Sequence, residues 1–172
     1  GNSNLSNVNL YYGVEALGNN AFRNCTLSSI TLPNTLKSIG DNCFRGNKIN
    51  YVSLPSSLTT VGINAFRNNQ ISYVNFGNYN VRGSLKAGNG EDFGPASNGG
   101  DNTGDALMGE VNNQIIIPNG MFAYNKLTSL SLPTNIKAIG NQAFMGNDIT
   151  EITIPASVEV IYNEAFLRNY DN

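Results

Sequence analysis

The chain has 172 residues, a formal net charge of −2, 40% hydrophobic and 13% charged residues, and neither histidine nor tryptophan. A net negative balance argues against a nucleic-acid binder, which shows a basic domain. No apolar run approaches the roughly 20 residues that cross a bilayer, so no membrane insertion is expected of this segment.

The first ten residues, 1–10, are polar and show no signal peptide. Leu5, Val8 and Leu10 match Leu27, Ile30 and Leu32 one period later. The chain is therefore expected to begin halfway through a repeat and to come from a longer protein, with any signal or anchor outside it.

The repeat itself is legible from Phe22 onward. Phe22, Phe44 and Phe66 stand 22 residues apart, and so do Phe122, Phe144 and Phe166. A fixed period in this range marks stacked supersecondary units, in which each repeat touches only its neighbours. The expected repeats are 11–32, 33–54, 55–76, 111–132, 133–154 and 155–172, following the half repeat 1–10. An insertion at 77–110, rich in Gly, Asn and Asp, separates the third from the fourth. The predicted fold is a single, mainly β solenoid of 22-residue coils, with parallel sheets and short helical or 3₁₀ turns.

Within a repeat, three apolar positions follow the Phe in the spacing LxxLxL, as in Ile49, Val52 and Leu54. The last two alternate with polar residues, the pattern of a half-buried strand. A Pro usually ends it (Pro33, Pro55, Pro133, Pro155), because Pro cannot donate to the ladder. A second apolar pair, such as Leu36 with Ile39, reads as a second short strand on the other side of the coil. Gly40, Gly62 and Gly140 follow at a turn that a Cβ would hinder. The Phe then fills the centre, stacking on its equivalents. Three residues later stand Cys25, Asn47, Asn69, Asn125, Asn147 and Asn169. An Asn column of this kind can satisfy backbone groups that the coil leaves unpaired. After Asn169, Asp171 replaces an aliphatic residue, a polar ending suited to a cap.

The phrases SLSLPTNIKAIGNQAFMGN and YVSLPSSLTTVGINAFRNN resemble the BspA-type leucine-rich repeats of bacterial surface proteins and some parasitic protists. The resemblance covers nearly the whole chain outside 77–110. It implies an adhesion or interaction module at the cell surface, with no catalytic motif to carry over and no cofactor. The family often has Cys in the ladder column, where this chain keeps only Cys25.

Two surface columns are candidate ligand-binding sites. Arg23, Arg45 and Arg67 each follow a Phe and should stack. They form either a basic stripe for an anionic ligand, such as a sulfated or acidic glycan, or a ridge that is solvated or paired with Glu91, Asp92, Asp101 or Asp105. Tyr51 and Tyr73 share an outward strand position, in a field of Asn50, Ser53, Ser72 and Asn75. They form either a recognition patch, since Tyr offers contact area at low entropic cost, or a cross-strand pair that stabilises the sheet. Cys25 and Cys43 read as buried free thiols or a disulfide between neighbouring repeats. The GGDNTGD of the insertion offers oxygens suited to Ca²⁺ without the spacing of an EF-hand. Asn4-Leu5-Ser6 and Asn24-Cys25-Thr26 match the glycosylation pattern.

These readings favour a monomeric extracellular or cell-surface module. Its exposed sheet and insertion loop would bind a host or matrix protein, another cell surface or a glycan. The alternative is a structural spacer or stalk segment of a larger surface protein. An enzyme is not expected, because there is no histidine to activate a nucleophile.

Overall fold

A computed structural model of the chain describes residues 4–85 and 111–169. The described residues form nine strands: β1 (Ala16–Leu17), β2 (Ser38–Ile39), β3 (Tyr51–Ser53), β4 (Thr60–Val61), β5 (Tyr73–Asn75), β6 (Arg82–Leu85), β7 (Val111–Ile117), β8 (Ala138–Ile139) and β9 (Val160–Ile161). Strands β1, β2 and β4 form one parallel sheet, in which Ala16 pairs with Ser38 and Ser38 with Thr60. Strands β7, β8 and β9 continue the same kind of pairing, Ile116 with Ala138 and Ala138 with Val160. Strands β3 and β5 form a separate two-stranded parallel ribbon.

The expected first strand thus becomes a hydrogen-bonded ribbon only in the repeats that carry Tyr-Val at its start (Tyr51-Val52 and Tyr73-Val74). Tyr and Val are both strong strand formers. The second strand forms in every repeat described.

The turn around each Phe is not helical: the described residues contain no helix. The reason lies two residues to either side of the Phe. Asn20, Asn42, Asn64, Gly120, Gln142 and Glu164 precede it with φ of 53–61°. Asn24, Gly46, Asn68, Tyr124, Gly146 and Arg168 follow it with φ of 54–73°. A left-handed residue ends a right-handed helix, and two of them bracket a segment too short to complete one. Asn tolerates this conformation best after Gly, and Asn occupies five of these positions. The backbone of each turn bonds to the next repeat instead. Phe22 N–H donates to Cys43 O at 2.9 Å and Phe44 N–H to Ala65 O at 2.8 Å.

The Phe rings stack as the period predicts. Phe22, Phe44, Phe66, Phe122, Phe144 and Phe166 lie 5.3–5.9 Å apart with interplanar angles near 10°. The Asn column binds the turns from inside. Asn69 Nδ2 donates to Phe44 O (2.9 Å) and Phe66 O (3.0 Å), while its Oδ1 accepts from Ile49 N–H (3.1 Å). Asn47, Asn125 and Asn147 repeat the arrangement. Cys25 makes one long contact, Sγ to Arg23 O at 3.9 Å. The glycines hold close approaches: a Cβ on Gly40 would stand 2.6 Å from Asn19 N, and one on Gly140 2.7 Å from Asn119 N.

The insertion divides the two sides of the coil. On the turn side the third and fourth repeats stack directly, with Phe66 N–H donating to Met121 O at 3.1 Å. On the β4 side an extra strand enters. Arg82 N–H donates to Thr59 O at 2.8 Å, and β6 pairs antiparallel with β7. Tyr79 is buried beneath them, donates its hydroxyl to Ile116 O at 2.7 Å, and meets Phe76 edge-on. Tyr79 and Val81 thus enter the fold's core, while Gly77, Asn78 and Arg82 stay exposed.

Candidate binding surface

The ribbon β3–β5 brings the expected Tyr face together. Tyr51 pairs with Tyr73, and Ser53 with Asn75, in register. The alternation of the strand turns Val52 and Val74 inward and the two Tyr outward, 43% and 58% exposed. Their rings are stacked, 5.7 Å apart and within 4° of parallel. Asn75 Nδ2 donates to Ser53 Oγ at 3.2 Å, and its Oδ1 accepts from Gly77 N–H at 3.0 Å. Asn50 is exposed, and its carbonyl accepts from Ser72 N–H at 3.1 Å.

A groove lies against each edge of the ribbon. One, of about 510 Å³, is lined by Tyr51 with Ser29, Thr31 and Asn50. The other, of about 660 Å³, is lined by Tyr73 with Thr128, Ser129, Thr150 and Glu151. Both are surface grooves widely open to solvent rather than enclosed pockets. Among the described residues no strand pairs with the outer edge of β3 or of β5. The grooves were not foreseen from sequence. Their signal was present as small residues, Ser29 and Ser129, at both ends of the Tyr pair.

The Arg column is not a surface stripe. Arg45 and Arg67 are only 4% and 2% exposed, and Arg23 is half-buried. Position explains this: one residue past the Phe, the side chain lies in the turn that the next repeat covers. Each guanidinium donates to the left-handed Asn three residues earlier: Arg23 to Asn20 and Arg45 to Asn42 at 3.2 Å, Arg67 to Asn64 at 3.5 Å. Arg67 also reaches Gln142 Oε1 at 3.4 Å and lies over the Tyr124 ring, 4.7 Å from its centroid. Burial, reinforced by the charge of Arg45, lowers the pKa of Arg67 to about 10. Neither a ligand-facing stripe nor a solvated ridge fits this column. The proposed partners Glu91, Asp92, Asp101 and Asp105 lie outside the described residues.

Cys25 and Cys43 are buried free thiols, not a disulfide. Burial pushes the Cys43 thiol up to about 12. The described residues contain no group of three or more His, Cys, Asp or Glu suited to a metal ion. The GGDNTGD segment and Asp171 fall outside them. Among the described residues no helix is long and apolar enough to cross a membrane.

Two solved structures are similar to this chain. A leucine-rich repeat protein from Bacteroides ovatus ATCC 8483 is 22% identical with a TM-score of 0.55, covering 95% of this chain and 41% of that one. A leucine rich cell surface protein from Faecalibacterium prausnitzii A2-165 is 21% identical with a TM-score of 0.46, over 98% and 44%. The chain thus spans less than half the length of either, and the first likeness shows a shared fold alone. No curated protein sequence matches the chain. The family model for the BspA type leucine rich repeat region matches in six copies, over residues 1–84 and 110–171. With parallel strands, inward Leu, Ile and Val, and no helix among the described residues, the chain belongs to the BspA-type leucine-rich-repeat family.

Proposed function

We propose that this chain is an extracellular or cell-surface interaction module that acts as a monomer without a cofactor. In this reading the stacked 22-residue coils form a solenoid, and a protein or glycan binds the face around Tyr51 and Tyr73. The observation that carries it is the parallel, exposed Tyr pair between two grooves of mixed polar and apolar lining. Tyr offers contact area to a partner at low entropic cost, and this pair, unlike the more exposed Tyr11 and Tyr12, is held in register on a strand ribbon. The family supports a scaffold without catalytic chemistry.

The test is binding of the purified chain to a panel of matrix proteins and glycans, beside a Tyr51→Ser/Tyr73→Ser variant. Binding lost in the variant is expected. Unchanged binding would show that another surface is used. A second variant tests the insertion. Because Tyr79 and Val81 are buried and Leu85 pairs with Val111, the cut should replace only residues 86–110, with an Asn-Gly turn. Removing 78–109 would take part of the core with it.

A spacer or stalk is the second reading. The unbroken Phe stack favours it, since continuous ring contacts stiffen the array. Absence of binding to the whole panel would support it.

A further inference from the structure

We propose that the Tyr51–Tyr73 stack is a platform for a neutral glycan, with a ring-sized slot at each end, over Ser29 and over Ser129. This rests on the reading of this face as the binding surface. The column through the two Tyr reads Asn7, Ser29, Tyr51, Tyr73, Ser129, Glu151. It is symmetric in character: a hydrogen-bonding side chain, a small one, two rings, a small one, and again a hydrogen-bonding side chain.

The geometry follows from the stacking. The rings turn one face toward each other at 5.7 Å, so each presents its other face along the array. Neighbouring strands stand about 4.8 Å apart, so the next residue in the column marks where a third ring would lie. Ser29 and Ser129 leave that volume empty. Tyr51 and Ser29 accordingly line one groove, and Tyr73 and Ser129 the other. Unpaired outer edges of β3 and β5 leave both slots accessible.

The chemistry selects the occupant. A sugar ring has an apolar face that stacks on an aromatic ring and hydroxyls at its rim. In the Ser129 slot, Tyr73 offers the stacking face. Thr128, Thr150 and Glu151 line the same groove with hydroxyls and a carboxylate. In the Ser29 slot, Thr31 and Asn50 stand beside Tyr51. Glu151 is the single charged residue lining either groove, which suits a neutral ligand. Both linings interleave hydroxyls and amides with apolar surface, Ile30, Leu32 and Pro55 in one groove and Leu130, Ile152 and Pro155 in the other, the mixture that a sugar's apolar face and rim hydroxyls match. Neither groove is lined by a Lys or Arg, the cation that an acidic glycan would need.

The experiment is calorimetric titration of the chain with neutral α- and β-linked hexasaccharides, cellohexaose and chitohexaose among them, and with a matrix-protein panel. It uses wild type, Tyr73→Ser, Tyr51→Ser/Tyr73→Ser and Ser129→Tyr. The last fills the slot with a third ring while keeping the stack. The expected result is that at least one hexasaccharide binds, with an affinity unchanged by added salt. Tyr73→Ser weakens it roughly 3- to 10-fold, the loss of one aromatic contact. Ser129→Tyr removes binding at that slot with an unchanged unfolding midpoint. If no hexasaccharide binds, but a matrix protein does and the double Tyr variant loses it, the glycan assignment falls and the face stands. Hexasaccharide binding that ignores these variants overturns the slots. If nothing binds, both readings fail.

Discussion

The Arg column and the Tyr column sit seven residues or fewer from the same Phe, and each looks from sequence like a stripe of surface side chains. One is buried and the other exposed. Arg45 and Arg67 lie in a turn whose amides bond to the next repeat, so the neighbour covers them. Tyr51 and Tyr73 lie on a strand, where alternation sends every second side chain outward whatever the neighbour does. Repetition alone therefore does not reveal exposure. What reveals it is whether the local period is 2 or the segment is a turn folded between layers.

The largest expected effect that would sharpen this contrast is at the Phe column. Phe66→Ala should lower stability by about 4 kcal/mol in urea denaturation, because Phe66 is fully buried between Phe44 and Phe122. A loss under about 1 kcal/mol would mean that the turn side collapses around the gap.

Arg67→Ala should cost about 2 kcal/mol, against roughly 0.5 for Arg23→Ala. Arg67 is buried against Tyr124 and Gln142, whereas Arg23 is half-buried at the other end of the column. Equal losses would break the comparison, since burial would then carry no energetic weight.

The Cys43 thiol supplies a pH test of the same buried turn. Its ordinary value is 9.0 and burial holds it near 12 in the folded chain. The unfolded state thus gives up this proton first. The stabilising contribution is complete below pH 9 and is lost as pH rises toward 12, on the order of 2 kcal/mol by pH 11. Tyr79, whose pKa burial raises, acts in the same direction, and Arg67, whose pKa burial lowers, acts oppositely. The measurement is therefore the difference between wild type and Cys43→Ala, the residue that other repeats carry there. The variant should show the flatter fall between pH 8 and 11.

The smallest expected effect on stability is that of Tyr51→Ser/Tyr73→Ser, below about 1 kcal/mol for an exposed cross-strand pair. A thermal unfolding scan checks it. A larger loss would make the pair a structural brace and weaken its standing as a recognition surface.

Much of the fold was legible in order of residues. The 22-residue spacing announced the Phe stack, the Asn column and the second strand, because a stacked array repeats its core positions. The alternation around Val52 and Val74 placed Tyr51, Ser53, Tyr73 and Asn75 on one face, whereas Asn50, in phase with Val52, is exposed because it precedes the strand. The turn was misread as helical because two left-handed positions are marked only by Asn or Gly in most repeats, and by Tyr, Gln, Glu or Arg in the others. Such conformations come from the contacts of the stack, not from local preference.

By itself, the sequence determined the period, the residues of the core and the side of each strand that meets solvent, since all three follow from spacing along one chain. Only tertiary structure decided that Arg45 and Arg67 are enclosed, that Tyr79 and Val81 enter the core, and that Ser29 and Ser129 leave open slots beside the Tyr rings. Those outcomes depend on what the adjacent repeat covers or leaves uncovered, and that is set by packing between layers.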